Sequence, residues 1–61
     1  RLAAGVAHDV RNPLHSIGLT LSHLDDTGRP EDPERAEEFD RAVTLIRGEI
    51  RRLDQLVVNF L

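Results

Sequence analysis

The sequence predicts an all-α fold: an antiparallel helical hairpin that joins a second copy of itself in a homodimeric four-helix bundle. Three observations carry this. Apolar residues recur in alternating three- and four-residue steps along two stretches, the heptad pattern of bundle helices. One short polar connection with Gly28 and Pro30 separates them. The chain has 61 residues and no cysteine. A hairpin of that size buries little apolar surface on its own, and without disulfides or a thiolate metal site self-association is what remains. A symmetric dimer is the commonest closed arrangement.

The first helix is expected from about Leu2 to Leu24, with its seam through Ala3, Ala7, Val10, Leu14, Ile17, Leu21 and Leu24. Gly5 and Gly18 lower its intrinsic propensity by up to ~1 kcal/mol each relative to alanine, so packing must hold it together. The connection is expected over about 25–32. Asp25 and Asp26 oppose the negative end of the helix dipole, which argues that the helix stops before or at them.

Asp32 suits an N-cap, with Pro33 at the first helical position and Glu34 in the first turn. The second helix is expected over about 33–60, with its seam through Phe39, Val43, Ile46, Ile50, Leu53, Val57 and Phe60. Its acids (Glu34, Glu37, Glu38, Asp40) precede its arginines (Arg47, Arg51, Arg52), which complements the macrodipole. Glu37 and Arg41 form a favourable four-residue pair on a solvated face. A connection this short makes the helices antiparallel neighbours.

Several function classes are disfavoured. A net charge of −3 gives no basic stripe for nucleic acid. No apolar run approaches the ~20 residues of a membrane span, so no direct membrane insertion is expected, and no signal peptide is visible. The chain begins at Arg1 and contains no methionine, which suggests a domain excised from a longer protein. His8 and His15 are about 10 Å apart along one helix and His15 and His23 about 12 Å. No pair has the four-residue spacing that lets two imidazoles share a zinc, so no metal site is expected. Ser16 and Ser22 lack a triad arrangement. No glycine-rich phosphate loop follows a strand, so this chain should bind no cofactor of its own.

One stretch resists a purely structural account: His8-Asp9-Val10-Arg11-Asn12-Pro13-Leu14. His8 lies roughly 140° round the helix from the middle of the apolar stripe, on a rigid element and facing water. Pro13 removes the bond from its own nitrogen to the Asp9 carbonyl and crowds that turn, at about 3 kcal/mol or more. A helix kink at Pro13 is therefore expected. A functional strain and a simply tolerated proline explain it equally well.

The run from Leu2 to Leu14, a small-residue turn followed by histidine, an acid and Arg-Asn-Pro-Leu, resembles the H-box of two-component sensor histidine kinases. The matching element is the dimerization and histidine phosphotransfer domain. The stretch from Arg52 to Leu61 resembles that domain's second helix more loosely. Asp9 stands where glutamate is the commoner family choice, which keeps the carboxylate on a shorter arm.

The resemblance implies that His8 is the phosphorylation site, taking the γ-phosphoryl of ATP and passing it to an aspartate on a response-regulator receiver domain. ATP, with Mg2+, would be held by a separate catalytic domain of the same kinase. By analogy Asp9 orients the ring or accepts its proton. Asn12, one turn beyond His8 and about 6 Å along the axis, takes the position linked to dephosphorylating the regulator. It could instead satisfy the turn that Pro13 disturbs. Arg11 could meet a phosphate or an acidic partner rim, or be an ordinary surface arginine. His15 and Leu19 continue the row of His8 at helical spacing and suit a partner-docking surface, or are ordinary exposed residues. A cytoplasmic location is implied, whether or not the parent kinase is anchored in a membrane.

Two other readings fit part of the pattern. A structural oligomerisation or signal-relay hairpin explains the heptads but not His8, Asp9, Asn12 and Pro13 together. A phosphorelay histidine module without a kinase usually completes its bundle within one chain, and this chain supplies two helices.

Overall fold

A computed structural model describes the backbone of residues 2–59 and the side chains of residues 5–59. It consists of two helices, α1 (Leu2–Thr27) and α2 (Pro33–Asn59), packed side by side as a hairpin. The Cα positions span 50 × 17 × 9 Å, a single layer of two helices.

α2 starts where the capping chemistry places it. The Asp32 carboxylate accepts a hydrogen bond from the backbone N–H of Arg35 at 3.1 Å, and the Asp32 carbonyl accepts the first helical bond from Ala36 at 2.8 Å. Those bonds satisfy amide donors that every helix start leaves open. Arg41 donates to Glu37 at 3.3 Å, the expected i,i+4 pair.

α1 ends about one turn later than the sequence suggests, at Thr27 instead of near Leu24, so the connection shortens to residues 28–32. The extra turn has local support. Asp25 accepts from Arg47 of α2 at 3.4 Å, which offsets its unfavourable place at the helix end. The Thr27 hydroxyl donates to the His23 carbonyl at 2.8 Å, and the Gly28 amide closes on the Leu24 carbonyl at 2.7 Å. A Cβ on residue 28 would stand 2.8 Å from Leu24 Cδ1 and 3.0 Å from the Leu24 oxygen, so any other residue would have to shift the Leu24 side chain and press on its carbonyl.

The apolar stripes each divide into two rows. Ala7, Leu14 and Leu21 of α1 meet Ala36 and Val43 of α2, all no more than 9% exposed. Ile50 and Val57, half-buried, continue that inner row. The remaining seam residues face the hairpin's open side: Val10, Ile17 and Leu24 on α1, and Ile46 and Leu53 on α2, are 37–49% exposed. Phe39, half-buried, belongs to the same outer row. The seam positions Ala3 and Phe60 lie outside the described side chains.

The opposite flank is charged. Asp40, Arg47 and Asp54 recur every seven residues along α2, and each has a charged partner on α1 or in the connection. Arg11 donates to Asp54 at 2.8 and 3.4 Å. Arg47 donates to Asp25. Arg29, in the connection, grips Asp40 with two bonds of 2.9 and 2.8 Å. That fork holds the Asp40 carboxyl below the usual carboxylate range through the hydrogen bond from Arg29, against a smaller opposing effect of burial.

Candidate functional site

His8 projects from α1 on the charged side of the hairpin and is exposed. By helical geometry it lies about 160–180° round α1 from Val10, Ile17 and Leu24. Whatever covers the open apolar rows therefore leaves this imidazole in water. The fold achieves this with periodicity alone: the inner row takes Ala7 and Leu14, and the residue after Ala7 falls outside both rows.

The ring has one side-chain partner among the described residues. Asn12 Nδ2 stands 3.3 Å from His8 Nδ1, as the i,i+4 spacing allows. Asp9 is exposed, and no hydrogen bond joins it to the ring. Consecutive residues diverge by about 100° on a helix, so the two side chains leave the helix in different directions. α1 continues through Pro13 without a break, so the proline removes one backbone bond without ending the helix.

Arg11 does not point freely at solvent, since its guanidinium is held by Asp54 of α2. With Leu14, His15, Leu19, Arg47 and Asp54 it lines a shallow groove between the helices. His15 and Leu19 are exposed there, Leu19 at 62%. The structure thus brings Arg11, His15 and Leu19 to one surface and sets His8 and Asn12 together above it. Sequence reasoning missed Asp54 as the partner of Arg11. The heptad recurrence of Asp40, Arg47 and Asp54 was the available signal.

The imidazole, carboxamide and guanidinium all belong to exposed residues on an open face. Such a face presents a nucleophilic nitrogen to something brought from outside. No helix among the described residues is long and apolar enough to cross a membrane.

The comparisons with known proteins agree with the H-box resemblance. The model of the His Kinase A (phospho-acceptor) domain matches residues 1–61. Sporulation kinase C of Bacillus subtilis (strain 168) is 38% identical over 60 residues, which cover 98% of this chain and 12% of that protein. No solved structure matches the chain. A family match over the full length, on a two-helix hairpin that exposes the motif histidine, has one meaning: the chain belongs to the His Kinase A phospho-acceptor domain family.

Proposed function

We propose that the chain is the phosphoacceptor and dimerisation module of a sensor histidine kinase. The observation that carries this is the placement of His8, exposed and outside both apolar rows, in a chain of the phospho-acceptor family. A ring nitrogen of His8 attacks the γ-phosphorus of ATP, the bond to the bridging oxygen breaks, and ADP leaves. The phosphoryl group then moves to an aspartate carboxylate of a response-regulator receiver domain. Such transfers depend on positioning and charge stabilisation more than on covalent work by the protein. ATP and Mg2+ arrive with a separate catalytic domain.

Asp9 is the candidate acceptor of the ring proton. Asn12 can hold a water for the reverse hydrolysis on the regulator. Arg11, His15 and Leu19 supply the docking groove. The dimer forms when a second copy covers Val10, Ile17, Leu24, Ile46 and Leu53, an arrangement consistent with the family.

The test is phosphorylation by an added histidine-kinase catalytic domain with Mg-ATP, followed by transfer to a receiver domain. The wild-type chain should gain acid-labile phosphate and lose it to the receiver. A His8→Gln variant should gain none while keeping its helicity and its dimer. Label on that variant would refute the assignment, and a wild-type chain that dimerises but takes no phosphate would favour the structural hairpin.

A further inference from the structure

A neutral imidazole carries one N–H and one lone pair, and the partner of one nitrogen decides which nitrogen is left to react. In this structure that partner is Asn12, whose amide nitrogen stands 3.3 Å from His8 Nδ1. With the NH2 group facing the ring it donates to the Nδ1 lone pair, and the ring proton then sits on Nε2. Both nitrogens are occupied: the Nδ1 lone pair by the amide, Nε2 by its proton. A half-turn of the carboxamide reverses this. The amide oxygen would then accept from Nδ1–H, and the Nε2 lone pair would point outward from the helix. Asp9 makes no hydrogen bond to the ring among the described residues, and Asn12 is the side chain in contact with it.

We propose that Asn12 is a positioning residue for phosphoryl capture, its carboxamide setting the tautomer of His8 and thereby whether Nε2 can attack. This rests on the reading of His8 as the phosphoacceptor and adds a forward role to Asn12. In the competent state the Nε2 lone pair forms the bond to the γ-phosphorus. The electron pair of the broken P–O bond leaves with ADP. The ring becomes an N-phosphoryl imidazolium whose Nδ1–H donates to the Asn12 oxygen. An amide oxygen is too weak a base to keep that proton, which passes to water or to Asp9. Orientation and proton removal are thus separate tasks of separate side chains.

The experiment uses the kinase chain that contains this domain, comparing wild type, Asn12→Ala and Asn12→Asp. Both substitutions fall on an exposed helical position, and circular dichroism confirms folding. The first readout is the ¹⁵N NMR signature of the His8 ring nitrogens. The second is the initial rate of His8 phosphorylation against pH. Wild type should show Nε2 as the protonated nitrogen. Asn12→Asp can only accept, so it should move the proton to Nδ1 and raise the rate. A hydrogen bond to a carboxylate biases such an equilibrium by roughly tenfold to a hundredfold, which bounds the expected gain. The carboxylate also favours the charged ring, so the acid limb of the profile should shift to higher pH. Asn12→Ala should lose the wild-type ring signature.

Unchanged ring signals in both variants would overturn the proposal, as would a reversed tautomer with an unchanged rate. Either result leaves the phosphoacceptor reading intact. That reading fails separately, if wild-type His8 takes no phosphate.

Discussion

The two flanks of the hairpin are built from the same pair of helices and behave oppositely. On one, Arg11–Asp54, Arg47–Asp25 and Arg29–Asp40 tie α1 and the connection to α2. On the other, Val10, Ile17, Leu24, Ile46 and Leu53 stay 37–49% exposed, beside a shallow groove lined by Pro13, Ile17, Leu21 and Ile46. The charged flank closes within one chain because Arg11, Arg47 and Arg29 each meet an acid. The apolar flank is finished only when another apolar surface meets it. Under the proposed function the chain dimerises and also presents a histidine to a visiting active site, and these tasks fall on different sides. His8 stands on the charged side, nearly opposite the uncovered rows.

The largest effect should come from a charge on the apolar flank. Ile17→Asp would strand a carboxylate in the dimer interface at about 3–5 kcal/mol, the cost of an uncompensated buried charge. That weakens association by roughly a hundredfold or more. Light scattering should find a monomer at concentrations where wild type is a dimer. An unchanged dimer would put the interface elsewhere.

The charged flank should respond far less. Its ion pairs are 35–52% exposed at their side chains, and such pairs are worth about 0.2–1 kcal/mol each. Asp54→Asn should therefore lower the thermal midpoint by only a few degrees and leave the dimer in place. Amide exchange near Arg11 should quicken, which locates the loosening beside His8. A collapse as large as that of Ile17→Asp would erase the proposed division of labour.

The smallest effect is a pH dependence confined to the connection. The hydrogen bond from Arg29 holds Asp40 below the usual carboxylate range. Its folded value is depressed, so its contribution is present above the ordinary aspartate range, near pH 4, and is lost as pH falls through the lower folded value. Amide exchange over residues 28–32 should speed up in that acid window for wild type and show no such step in Arg29→Ala.

Much of this architecture was legible in the sequence because heptads report directly on which residues face a neighbour. The start of α2 was equally legible, since Asp32-Pro33-Glu34 is local capping chemistry. Other features depend on how the helices are rotated and offset. Ala7 and Val10 belong to one apolar stripe in the sequence, yet one meets α2 and the other faces the open side. Arg11 reads as a free surface arginine until the length of the connection places Asp54 beside it. α1 runs on to Thr27 for the same reason, because Arg47, far off in sequence, offsets the charge of Asp25 near the helix end. At the site, His8 and Asn12 were readable from their four-residue spacing. The separation of Asp9 from the ring depends on side-chain direction, which a motif does not encode.

The account stands on His8 as the one histidine that receives phosphate. The chain carries three, and His15 and His23 are exposed as well, so accessibility alone does not choose among them. The most direct measurement is to phosphorylate the domain with a histidine-kinase catalytic domain and Mg-ATP, then locate the phosphoryl group by mass spectrometry under conditions that preserve phosphohistidine. The account predicts the modification on His8 alone. Phosphate on His15 or His23 with His8 unmodified would contradict it.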